Sequence, residues 1–176
     1  MNNDFSDAIG QTLKNEGGLT DNPNDPGGIT KYGISLRFLQ ENGIDVNNDG
    51  TINGKDVENL TVPEATSIYK LYFWEKFKIF LIDNQILANK VFDLSVNMGG
   101  NQAIKLLQEA LNMHVTPPLV IDGVIGQNTL RAIDNISLHV LMGDYRLCAN
   151  LFYEHLIAQN PNFKVFLDGW LKRVAQ

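Results

Sequence analysis

The run Phe5-Ser6-Asp7-Ala8-Ile9-Gly10-Gln11-Thr12-Leu13-Lys14-Asn15-Glu16-Gly17-Gly18 leads into Asn22-Pro23-Asn24-Asp25-Pro26-Gly27-Gly28-Ile29-Thr30-Lys31-Tyr32-Gly33-Ile34, and this succession decides the fold. Phe5, Ile9, Thr12/Leu13 and Glu16 recur at spacings of three and four, a stripe along one face of a helix. Gly17-Gly18 stops that helix. Leu19 to Ser35 is rich in Gly, Pro, Asn and Asp and predicts an ordered loop with room for a short hairpin only.

Working outward, the helical period dominates. Leu36 to Gln40 predicts a short helix ending near Gly43. Thr61-Val62-Pro63-Glu64 is a capping box with Pro in the first turn, opening a helix that runs to about Lys76. Further helices are expected from about Gln85 to Met98, Gln102 to Met113, Thr129 to Ile133, Ser137 to Asn160 and Phe163 to Val174. Thr116-Pro117-Pro118 interrupts the pattern, and Asp122-Gly123 with Gly126 makes a turn. The fold class is mostly α. The composition shift at Gly99-Gly100 divides the chain into regions 1–99 and 100–176, expected to pack as one body.

Composition is that of a globular protein, 44% hydrophobic and 19% charged, with a formal net charge of −6. That charge argues against nucleic acid, whose phosphates need clustered Lys and Arg, and against a polybasic membrane anchor. Cys148 is the only cysteine, so no intrachain disulfide forms, and beside Val140-Leu141-Met142 it reads as a small core residue. Met1 to Phe5 carries neither a basic leader nor a long apolar stretch, which predicts synthesis in the cytoplasm without a Sec signal peptide. No window approaches the roughly 18 apolar residues of a spanning helix. His114, His139 and His155 have no metal-ligand spacing and read as incidental. A monomer is expected.

Glu16 at the end of an apolar stripe is the candidate catalytic acid. The stripe directs it inward, where desolvation raises a carboxyl pKa towards the value a general acid needs. Nine residues on, Asp25 sits in a polar loop where a second carboxylate stays ionised, and the Thr30 hydroxyl could hold a water. Two carboxylates in unlike surroundings are the working parts of glycoside hydrolysis. From the pattern alone, a surface carboxylate followed by turn residues is an equal alternative.

The stretch from Glu16 to Ile34 resembles the signature of glycoside hydrolase family 108, N-acetylmuramidases found as phage endolysins and in proteins once labelled secretion activators. The Glu–Asp–Thr spacing is also similar to that of phage-type lysozymes, with Thr one residue nearer here. The resemblance implies a lysozyme-like helical domain, Glu16 as the essential acid, and Asp25 and Thr30 as its partners. Phe92-Asp93-Leu94-Ser95-Val96-Asn97-Met98-Gly99 resembles the family's helix ending in Val-Asn-x-Gly. Asp93 and Asn97, four apart on one face, are candidate glycan contacts; a surface Asp and a C-capping Asn are the alternatives. Tyr32 is a candidate floor of the cleft. Ala103–Gln108, Asp122–Thr129 and Gly169–Val174 are similar to the helical peptidoglycan-binding-like region that follows in this family. The Asp122–Gly126 turn reads first as scaffolding, and Trp170, flanked by Phe166 and Val174, as core.

Asp45-Val46-Asn47-Asn48-Asp49-Gly50-Thr51-Ile52-Asn53-Gly54-Lys55-Asp56 follows the calcium-loop pattern of EF-hands and dockerin modules. Asp45, Asn47 and Asp49 offer oxygens at positions 1, 3 and 5, Gly50 the turn, Thr51 a carbonyl, and Asp56 the last ligand where Glu is usual. A structural Ca²⁺ is expected, and none for catalysis. An Asn/Asp-rich turn without an ion is the alternative.

The function expected is a peptidoglycan hydrolase cutting the β-1,4 bond between N-acetylmuramic acid and N-acetylglucosamine. A lytic transglycosylase using Glu16 alone and a non-catalytic wall-binding module are the alternatives. The target lies outside the cytoplasm, reached by release through holin pores, as for a prophage endolysin, or as secretion-system cargo.

Overall fold

Segments of helical period become helices almost throughout the computed structural model, which describes residues 4–15, 19 and 28–176, the side chains of Gln11, Lys14 and Asn15 excepted. Packing divides the chain into two units, one of Phe5–Tyr72 and one of Phe73–Gln176 with Asp4.

In the first unit, α1 (Phe5–Asn15) buries Ile9 and Thr12 of the stripe with Ala8 beside them, while Phe5 and Leu13 are half-buried. A two-stranded antiparallel hairpin follows, β1 (Thr30–Lys31) and β2 (Ile34–Ser35), in register Thr30 to Ser35 and Lys31 to Ile34. Its two-residue turn holds Tyr32 at φ 53° and Gly33 at φ 75°. Left-handed values at both positions match the twist of paired strands; glycine adopts them freely and tyrosine rarely does. The Tyr69 hydroxyl donates to the Tyr32 carbonyl at 2.8 Å and helps fix this turn.

Ser35 then caps α2 (Leu36–Asn42), its hydroxyl accepting from the Phe38 amide at 3.1 Å. The capping serine is the last residue of the hairpin, so hairpin and helix are set by one side chain. α3 (Gly54–Asn59) and α4 (Val62–Tyr69) both open with complete capping boxes, Asn53 with Asp56 and Thr61 with Glu64. α2 packs on β2 and α3. Leu39, Val57, Leu60, Ala65 and Tyr69 are almost wholly buried. The helix that starts at Val62 changes to π geometry over Lys70–Glu75, and the division between units falls within that turn.

The second unit is helical. α5 (Gln85–Met98) ends at Gly99, and α6 (Gly100–Asn112) begins at once, two residues earlier than the sequence predicts. α7 (Gln127–Asp134) and α8 (Leu138–Gln159) follow. The last predicted helix is split. Pro161–Phe166 forms a 3₁₀ segment, and only Leu167–Ala175 is the α-helix α9. Asn160 accepts from the Asn162 amide and Pro161 stands at the start, which favours a tight first turn over a full one.

α6 packs on α5, α7 and α8, and α8 on α9. Ala103, Ile104, Leu107, Ala110 and Leu111 are wholly buried. Truncating one of these leucines costs about 2–5 kcal/mol. Cys148 is buried as expected, and burial pushes its thiol up to about 11, far from a nucleophile's range. Among the described residues, no helix is long and apolar enough to cross a membrane.

Candidate functional site

Glu16 and Asp25 lie outside the described residues. What the structure describes is the frame on either side of them. α1 leads up to Glu16 with Ile9 and Thr12 of its stripe buried, and the hairpin takes up the chain after Gly28.

Thr30, on β1, is half-buried, and its hydroxyl donates to the Gly28 carbonyl at 3.1 Å. The hydrogen is used locally, while the oxygen keeps lone pairs with which it can accept from a water. Tyr32 is half-buried at the turn, its backbone fixed by Tyr69. The Lys31 ammonium lies 5.5 Å from the Tyr32 ring centre and donates to the Glu58 carbonyl at 2.5 Å. Hairpin and ring are therefore held by three side-chain interactions, none of which sequence reasoning supplied. The signal for Tyr69 was its place in a crowded aromatic helix, where a buried phenol needs an acceptor.

Asp93 and Asn97 share one face of α5, as their spacing requires. Each meets a partner from the C-terminal helices. Asp93 is ion-paired with Arg173 at 3.2 Å, both side chains 16% exposed. Beside them Lys90 donates to the Arg173 and Val174 carbonyls, satisfying the end of α9. Burial lowers the pKa of Lys90. Asn97 accepts a hydrogen bond from the Tyr153 hydroxyl. Tyr153 is buried and stacks on Trp170 with ring centres 4.7 Å apart, and burial pushes its phenol well up. Trp170 is half-buried in a cluster with Phe163 and Phe166.

The calcium-type loop is closed by its own side chains. Asp45 accepts from the amides of Asp49 (3.3 Å) and Gly50 (2.8 Å), and Asn47 from that of Asp49 (2.9 Å). Asp49 accepts from the amide and hydroxyl of Thr51 at 2.9 and 2.7 Å, bonds that hold its carboxyl below the usual range. Asp56 is wholly buried and accepts from the amides of Val46, Asn47 and Asn53. Burial pushes its carboxyl up, but the backbone bonds outweigh that and hold it below the ordinary value. Asp56 is thus at once the twelfth loop residue and half of the capping box that starts α3. Among the described residues, no group of three or more His, Cys, Asp or Glu gathers as a metal cluster.

In the second unit, the Asp122–Gly126 turn is built around Gln108, a buried residue that sequence reasoning passed over. Its amide nitrogen donates to Asp122 (2.8 Å) and to the Val124 carbonyl (3.1 Å). Its oxygen accepts from the Gly123 amide at 2.9 Å. Gly123 sits at φ 75°, where a Cβ would meet the Asn101 carbonyl at 2.9 Å, so the turn admits no side chain there.

Comparison with known proteins adds the chemistry that the frame serves. Residues 9–99 match the family model described as Glycosyl hydrolase 108, and residues 102–175 match that of a Predicted Peptidoglycan domain. The first match ends at Gly99 and the second begins within the first turn of α6, whereas packing groups α5 with the helices after it. No curated protein matches the chain at a significant level. A solved structure titled "Structure of Brucella abortus SagA" is similar over 97% of this chain and 89% of that one, with 27% identity and a TM-score of 0.79. With a catalytic-family match over half its length and a peptidoglycan-domain match over most of the rest, the chain belongs to the glycosyl hydrolase 108 family and is a glycoside hydrolase.

Proposed function

We propose that the protein is an N-acetylmuramidase, hydrolysing the β-1,4 bond between N-acetylmuramic acid and N-acetylglucosamine in peptidoglycan. The observation that carries this reading is the Glycosyl hydrolase 108 match over residues 9–99, which takes in Glu16, Asp25, Thr30 and Tyr32. The peptidoglycan-domain match over residues 102–175 supports the choice of polymer.

Glu16 protonates the leaving glycosidic oxygen, and Asp25 stabilises the oxocarbenium-like transition state or directs water to the anomeric carbon. Thr30 assists as an acceptor. A water donating to its hydroxyl oxygen keeps its own lone pairs for attack. Tyr32, Asn97 and Asp93 are each read as glycan contacts, Asn97 steadied by Tyr153 and Asp93 by Arg173. The enzyme works on the cell wall after release or secretion. Mass analysis of digested peptidoglycan tests the reaction type: a hydrolase leaves reducing muramic ends, whereas anhydro-muramic ends would replace this reading with transglycosylation.

We further propose that the Asp45–Asp56 loop holds a structural Ca²⁺, taken by Asp45, Asn47, Asp49, the Thr51 carbonyl and Asp56. The oxygens that accept amide hydrogens retain lone pairs for a hard cation, which supports the donor set. The ion would stiffen the loop between α2 and α3 and takes no part in bond cleavage.

A further inference from the structure

Beside the turn that Gln108 holds lies a groove of about 670 Å³, within the range of roughly 300–1,000 Å³ that small-ligand sites occupy. One wall is the Thr116–Val120 segment, the other is α7, and Gln108, Thr129 and Ala132 lie buried beneath. The walls are fixed in place. Asn112 donates to the Leu119 carbonyl at 3.0 Å and accepts from its amide at 2.7 Å, while Gln108 locks the turn on the other side.

The lining selects among ligands. It carries no aromatic ring, so it lacks the stacking surface that a pyranose uses. It does carry Pro117, Pro118, Leu119 and Val120 as apolar surface, and Gln127, Asn128 and Asn135 as exposed amides able to pair with peptide groups. Arg131 is the one cation in the lining, and among the described residues it has no carboxylate partner. The one anion, Asp122, is held by Gln108 and by the Val124 amide, bonds that keep its carboxyl below the ordinary value. Apolar surface, amides and a single available guanidinium are the complement of a short peptide ending in a carboxylate.

We infer that this groove binds the peptide stem of peptidoglycan, with Arg131 pairing its carboxylate. The inference rests on the reading of the protein as a peptidoglycan hydrolase and adds where, and by which part of the polymer, the wall is held. Hydrolysis at the glycan and anchorage through the stem would then be read by different residues.

The test uses the full chain, ¹⁵N-labelled, with three probes: N-acetylmuramyl tripeptide as the free acid, the same compound amidated at its C-terminus, and tetra-N-acetylglucosamine. The free acid is expected to shift the amide signals of Thr116, Leu119, Asn128 and Arg131, and the amidated form to bind about tenfold or more weakly. Arg131→Gln is expected to weaken the free acid by a similar factor, with Arg131→Lys recovering part of it. Arg131 is exposed, so its substitution should leave the melting temperature in place. The shift map on the unaltered protein stands independently of any variant. Absence of shifts in the groove with the free acid, equal affinity for the amidated form, or groove shifts caused by the tetrasaccharide instead would overturn the assignment. A protein that cleaves peptidoglycan yet ignores the peptide loses only the groove; one that binds the peptide there yet cleaves nothing loses only the hydrolase reading.

Discussion

The hydroxyl of Tyr153, on α8, donates a hydrogen bond to the side-chain oxygen of Asn97 at the C-terminal end of α5. One residue is buried and the other exposed, so the bond anchors a surface amide to the interior of the helical unit. Trp170 stacked on the Tyr153 ring holds the donor in turn. Asn97 is thereby fixed in one orientation, which is what a glycan contact needs.

Tyr153→Phe removes only that bond. The variant should lose about 1 kcal/mol of stability, a fall in melting temperature of roughly 2–4 °C for a chain of this size. If Asn97 touches the glycan, KM for peptidoglycan should rise more than kcat falls. Steady-state kinetics beside a thermal melt separate the two, and a lower melting temperature with KM unmoved would leave Tyr153 a purely structural residue.

The Asp56 carboxylate makes a pH prediction. Its folded pKa lies below the unfolded value of about 3.9, so the stability it supplies is complete above about pH 4 and is lost as pH falls through the folded value. Asp56→Asn should cost about 1–2 kcal/mol at neutral pH, the scale of a capping box with buried acceptors. Urea melts at pH 7 and pH 3 should show the gap between the two proteins closing in acid. A gap that widens in acid would mean the carboxylate is not held by its amides.

Much of the fold was legible because helical period and caps are local signals. The Thr61–Glu64 box and the Gly43 and Gly99 stops were all where the sequence put them. The short helix α3 was not, since six residues opening on Gly54 show no period, and its start depends on a box shared with the loop. The 3₁₀ segment after Asn160 was missed because the bond from the Asn162 amide to the Asn160 side chain, which tightens the turn, leaves no mark in the helical period. For the candidate site, sequence placed Asp93 and Asn97 on one face but could not supply Arg173 and Tyr153, which come from 80 and 56 residues away. Gln108 was invisible for a similar reason: a Gln on an amphipathic helix gives no sign of the turn it will hold.

Calcium should stabilise metal-free protein. At a hundredfold excess over Kd the gain is about 2.7 kcal/mol, roughly 5–10 °C in melting temperature. Asp45→Ala and Asp49→Ala should abolish the response. Calorimetric titration with CaCl₂ checks it directly, and a titration with no heat and no gain in melting temperature refutes the loop as a Ca²⁺ site.

Glu16 is proposed as the acid of a peptidoglycan hydrolase. Digestion of purified peptidoglycan by the unaltered protein and by Glu16→Gln, with products identified by mass, addresses it most directly. The expected result is muropeptides with reducing muramic ends from the first, and a rate lower by at least about a hundredfold from the second, the scale of a general acid. Near-equal rates from the two proteins would contradict it.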